Sequence, residues 1–151
     1  MLHIASAGIW LGLDAVMAVL VVTSVVTDDD RTRAVAYRAL ELVTVWPMTV
    51  AGLTCLVSGV LLGLGTVYGL LRYWWVAVKL VLNIVLSTLV LVALRPTISE
   101  FADRGDRLLD GQAVSAVLGD LAFPPIVSTT ALLVAMTLSV FKPWGKIPGR
   151  R

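Results

Sequence analysis

Residues 72–94, RYWWVAVKLVLNIVLSTLVLVAL, decide how this chain folds: after Arg72 a single charge, Lys79, interrupts an apolar run that reaches Leu94. A run of about 20 apolar residues is enough to cross a bilayer as a helix. A lysine inside such a helix costs roughly 2.5–3.5 kcal/mol on insertion scales, so it needs a partner or a task. Arg72, Lys79 and Asn83 are seven and four residues apart. At helical pitch the three fall within about 40° of one another, a polar seam on an apolar rod.

The rest of the chain has the same character. Its 151 residues fit one domain, and 58% of them are apolar, with a mean hydropathy of +0.92. Soluble domains hold nearly half apolar residues, so this composition identifies an integral membrane protein. The net charge of +2 is weak and its charges lie between the apolar runs. That points to topology and lipid contact, not to nucleic acid. Cys55 stands alone in an apolar run, where it packs as a small side chain and forms neither an intrachain disulfide nor a multi-cysteine metal site.

Four spans are predicted, at about 2–26, 42–65, 73–94 and 124–141. The fold class is all-α: a bundle of four transmembrane helices with short loops, in a single integral membrane domain. The first run lacks a basic leader and is too long for a signal h-region, so it reads as a retained span. Thr27 to Arg31 (TDDDR) is a solvated loop, and TRAVAYRALE, residues 32–41, lies at the interface or extends the second helix. The Trp46-Pro47 step predicts a bend in the second span. Residues 66–73 form a short turn, making spans two and three antiparallel neighbours.

The third span is expected to end at Arg95-Pro96. The polar segment that follows, Thr97 to Asp120, carries apolar positions Leu108, Leu109, Val114, Val117 and Leu118, which predict an interfacial amphipathic helix before the fourth span. A basic tail, Lys142 to Arg151, closes the chain. Both termini then lie on one side. Six cations (Arg31, Arg33, Arg38, Arg95, Arg104, Arg107) flank one side and five (Arg72, Lys142, Lys146, Arg150, Arg151) the other, so the positive-inside rule leaves orientation open. The expected location is the cell (plasma) membrane, as a multi-pass protein. Small-residue ridges at Ala51, Cys55, Gly59, Gly63 and at Gly8, Gly12 read as packing faces inside the bundle, with a homodimer interface the alternative.

His3, Trp10 and Asp14 repeat the spacing of Arg72, Lys79 and Asn83. Spans one and three run in the same direction. If Leu2 and Arg72 mark one boundary, Trp10 and Lys79 lie at roughly 10–12 Å depth, with Asp14 and Asn83 near 16–18 Å. The seams would then face each other in register. Two readings follow. Asp14 and Lys79 form a structural ion pair completed by Asn83, in a non-enzymatic accessory or assembly subunit. Alternatively the seams line a site for an anionic or redox-active ligand, with Lys79 and Arg72 as cationic anchors. A third class, a small transporter or copper-handling protein, is weakly served by Met17, Met48 and Met136, which lack metal-binding spacing. Trp46, Trp74, Trp75 and Trp144 suit the interfacial belt, and Trp75 can turn inward beside Lys79. No nucleophile–base pair, phosphate loop or metal cluster is visible, so enzymatic activity stays open. Partners are the bilayer and, as alternatives, a second copy or another membrane protein.

The motifs Leu2-His3-Ile4 with Trp10-Leu11-Gly12, Pro47-Met48 with Ser58-Gly59-Val60-Leu61-Leu62, and Trp75-Val76-Ala77-Val78-Lys79-Leu80 resemble a superfamily of four-helix membrane proteins. That group includes copper-resistance D-type proteins and the four-helix bacterial protoporphyrinogen oxidases. An actinobacterial membrane family is similar over Gly69-Leu70-Leu71-Arg72 and Lys79. The likeness covers spans one to three. It implies haem b as cofactor, with His3 as axial metal ligand and Arg72 or Lys79 pairing its propionates. Trp10, Asp14, Trp75 and Asn83 complete the expected cofactor-binding set. The chain has no second histidine, so a bis-His haem cannot form within one copy.

Overall fold

In the computed structural model, residues 1–66, 68–112, 114, 119–143 and 145–147 are described. Val117, Leu118, Trp144, Arg150 and Arg151 lie outside the described residues. Helix α1 spans Leu2–Val26, α2 Asp30–Gly65, α3 Trp74–Leu89, α4 Arg95–Leu109 and α5 Gly119–Phe141, with a five-residue π-helical turn, Val90–Leu94, joining α3 to α4. Four helices are long and apolar enough to cross a membrane: α1, α2, the continuous Trp74–Leu109 helix, and α5. Large apolar side chains such as Ile9, Val19, Leu61, Val81 and Val140 face outward, as a lipid-facing surface requires.

Each boundary has a local cause. Val26 ends α1 because Thr27 turns extended, and the Asp29 carboxylate caps α2 by accepting from the Arg31 and Thr32 amides and, at 2.6 Å, from the Thr32 hydroxyl. These bonds, with Thr32 dominant, hold the Asp29 carboxyl below its usual range. Arg33 fastens the two helices together. Its Nε donates to the Ser24 carbonyl at 3.1 Å and its Nη2 to the Thr27 carbonyl at 2.6 Å, satisfying acceptors that the end of α1 leaves free. Helix α2 runs unbroken through Pro47 and includes the 32–41 segment as its first turns.

The expected end of the third span is corrected. The helix continues past Arg95-Pro96, because in the π-helical turn the Arg95 amide reaches back five residues to the Val90 carbonyl. A wider turn absorbs the hydrogen bond that Pro96 cannot make. The amphipathic segment therefore extends span three instead of lying separately on the membrane surface. Ile98, Phe101, Ala102, Gly105 and Leu108 recur at helical spacing and are buried. Their partner is the first part of α2: Phe101 packs on Tyr37 with ring centroids 5.2 Å apart, and a Cβ on Gly105 would lie 3.1 Å from the Ala34 carbonyl. Arg38 closes the pair, with an Nη2 to Asp106 carboxylate distance of 2.6 Å. Apolar side chains that a neighbouring helix covers need no lipid to cover them. Of the other predicted apolar positions, Leu109 is exposed and Val114 half-buried.

Helix α1 packs along α2 and touches α5, while α3 touches α2 and α5. Spans one and three thus stand across the bundle diagonal. The ridge of Ala51, Cys55, Gly59 and Gly63 faces inward, receiving His3 at Gly59 and Leu70 at Gly63. Gly8 and Gly12 do not: a Cβ at either would meet nothing within 4 Å. The buried set on α1 (Ser6, Trp10, Asp14, Met17, Val21 and Ser24) takes the other face of that helix, which corrects the expectation that both ridges are internal.

Candidate functional site

The predicted polar seams divide between two cavities stacked along the bundle axis. The smaller, about 70 Å³, is lined by His3, Cys55, Gly59, Lys79 and Asn83 among others. His3 lies against α2, its Nδ1 3.0 Å from the Cys55 carbonyl and 3.3 Å from the Ser58 hydroxyl. Lys79 donates to the Ser139 hydroxyl on α5 at 2.9 Å, with its ammonium 4.6 Å from the Trp75 ring centre. Trp75 has turned inward and is buried, whereas Trp46 and Trp74 are exposed as belt residues are. Its ring meets Tyr68 edge-on at 5.3 Å, so the 68–73 loop closes this end of the bundle.

Arg72 does not join the seam. Helix α3 begins at Trp74, leaving Arg72 exposed in the loop, where its carbonyl accepts the Ile147 amide at 2.9 Å. The proposed register is corrected with it. His3 reaches the level of Lys79, and Trp10 the level of Ser87: a Cβ on Gly52 would lie 2.6 Å from the Trp10 ring and 3.0 Å from the Ser87 hydroxyl. The layer formed by Trp10, Gly52 and Ser87 separates the two cavities.

Beyond that layer lies a cavity of about 520 Å³, walled by α1, α2, α5 and the α3–α4 junction. Trp10, Asp14, Met17, Met48, Val90 and Ser128 contribute to it. It is mostly apolar, and among the described residues Asp14 is its one ionisable lining residue. Leu89 and Phe123, 44% and 68% exposed, stand at its rim, so the cavity opens toward the apolar surface of the bundle. Asp14 is at the middle of α1 and 1% exposed. Both its carboxylate oxygens lack a hydrogen-bond partner, as do the Trp10 indole nitrogen and the Ser128 hydroxyl. The Ser128 and Thr129 hydroxyls approach the carboxyl without reaching hydrogen-bonding geometry.

The Asp14–Lys79 ion pair expected from the register is therefore not formed. The ion pairs among the described residues are Arg33–Asp30, Arg38–Asp106 and Arg104–Glu100, all in the polar part of the chain. No group of three or more His, Cys, Asp or Glu side chains gathers among the described residues. A haem liganded by His3 does not fit this arrangement. Ligands of that size occupy pockets of roughly 300–1,000 Å³, and the space beside His3 is about 70 Å³. The larger cavity has the volume, but His3, the only histidine in the chain, is on the far side of Trp10.

Sequence reasoning passed over Ser128, the π-helical turn and the cavity-lining roles of Met17 and Met48. Ser128 opens a short polar step, Ser128-Thr129-Thr130, just after Pro124-Pro125 in the fourth span, and Arg95-Pro96 inside a helical pattern is the signal for a locally altered turn. Comparison with protein-family models, curated proteins and solved structures gave no match. Fold and site together define a class, an integral membrane bundle of four spans.

Proposed function

We propose that this protein binds a small, largely apolar molecule drawn from the bilayer into the larger cavity. The observation that carries the reading is the combination of about 520 Å³ of mostly apolar space with buried, unpartnered polar atoms on the lining residues Trp10, Asp14 and Ser128. Binding pockets have this composition: an apolar lining that supplies affinity and a few polar groups that fix orientation. The rim at Leu89 and Phe123 provides a lateral route from lipid, so the occupant need not cross the polar end at His3 and Lys79. The π-helical turn contributes Val90 and Leu94 to the wall, and such turns recur where a helix is reshaped around a site. Haem is not the proposed occupant, and no chemical step is assigned to the site.

The test is extraction of the protein purified from its own membranes, with mass spectrometry of the small molecules released. The wild type is expected to carry a species enriched over bulk lipid. Ala93→Phe, which fills the cavity at its exposed rim, should lose it. Identical extracts from the two proteins would overturn the reading.

A further inference from the structure

We infer that the occupant of the larger cavity is an organic cation, an apolar body carrying a protonated amine that meets Asp14. The inference rests on the binding reading above and deepens it. An ionised carboxylate removed from water and left unpaired is costly, and proteins normally supply a cation or several hydrogen bonds. Among the described residues no cation pairs with Asp14, and the nearby Ser128 and Thr129 hydroxyls do not reach hydrogen-bonding geometry. Lys79, the cation on the diagonally opposite span, is committed to Ser139 and the Trp75 ring in the other cavity. Asp14 lines the cavity, and both its oxygens are buried without a hydrogen-bond partner.

The surroundings select among cations. A hard metal ion such as Ca²⁺ takes six to eight oxygen ligands, whereas the described lining offers one carboxylate and the Thr97 and Ser128 hydroxyls among apolar side chains. An ammonium needs fewer acceptors, and its organic body suits the rest. The Trp10 and Phe123 rings and the Met17 and Met48 thioethers are polarizable surfaces that tolerate a nearby positive charge. An anionic ligand would meet Asp14 as a like charge and is disfavoured for that reason. Asp14 thus acts as the specificity-determining group, and the apolar wall as the source of affinity.

The experiment uses a matched pair of probes, 1-naphthylmethylamine and 1-naphthalenemethanol, which share one body and differ in the ammonium. Binding to the full chain in lipid nanodiscs is measured by equilibrium dialysis at neutral pH, with empty nanodiscs as baseline. A hydrogen bond to a charged partner is worth about 1.5–3 kcal/mol, so the amine should bind wild type about tenfold or more tighter than the alcohol. Asp14→Asn should bind the two alike. Ala93→Phe, which leaves Asp14 in place, should bind neither above baseline and serves as the second variant if Asp14→Asn does not fold. Equal binding of both probes to wild type would overturn the cation inference while leaving the cavity reading intact. Absence of binding by either probe would overturn both. Amine binding unchanged in Asp14→Asn, or in Ala93→Phe, would also overturn the inference.

Discussion

The Trp10 indole occupies the space that a side chain at Gly52 would fill, with a Cβ there only 2.6 Å from the ring. Trp10 is fully buried and separates the two cavities, so this contact sets how closely α1 approaches α2 at that level. Gly52→Ala should therefore push the indole or the helix outward. Overpacking of this kind costs about 1–3 kcal/mol. Thermal unfolding in detergent should show the loss, and Trp10→Leu combined with Gly52→Ala should be less destabilised than the two single effects summed. Additive losses would mean that the two residues do not share that space.

Asp14 and Lys79 line separate cavities, so their contributions should be independent. A double-mutant cycle with Asp14→Asn and Lys79→Gln is expected to give a coupling no larger than about 0.5 kcal/mol. A coupling of several kcal/mol would restore the ion pair that the register argument anticipated.

Arg33 should matter through hydrogen bonds to carbonyls more than through charge. It joins the Ser24 and Thr27 carbonyls to the start of α2, and its side chain is only 17% exposed. Arg33→Ala should destabilise by about 1–3 kcal/mol, the scale for losing charged hydrogen bonds. Hydrogen exchange should speed up around residues 24–33, and Arg33→Lys should restore little because a point ammonium cannot span both carbonyls.

The Asp29 cap gives a pH dependence whose sign is set by its depressed pKa. The unfolded chain binds a proton more readily than the folded cap does. The cap's stabilisation is therefore present above the usual carboxylate value of 3.8 and lost as pH falls through the lower folded value. The protection of the Arg31 and Thr32 amides, measured as exchange relative to the intrinsic rate at each pH, should fall in wild type as pH is lowered from about 5. Asp29→Asn, which caps without titrating, should flatten that dependence.

Four apolar runs, their order and their antiparallel sequence are written in composition, because a backbone in hydrocarbon must satisfy its own hydrogen bonds and helices of about 20 residues do so. The inward face of α1 was equally legible: His3, Trp10 and Asp14 share a phase, and Trp10 and Asp14 are buried. Periodicity gives each side chain its direction around its own helix. It does not say which helix stands opposite, nor how far the two are displaced along their axes. Those were decided by tertiary contacts: Trp10 on Gly52, His3 on Gly59 and Tyr68 on Trp75 set the level of each span. That displacement sends Lys79 to Ser139, leaves Arg72 outside the helix and leaves Asp14 beside the larger cavity without an ion-pair partner among the described residues. The polar groups were visible in the chain, but which of them meet depends on axial offsets that only packing fixes.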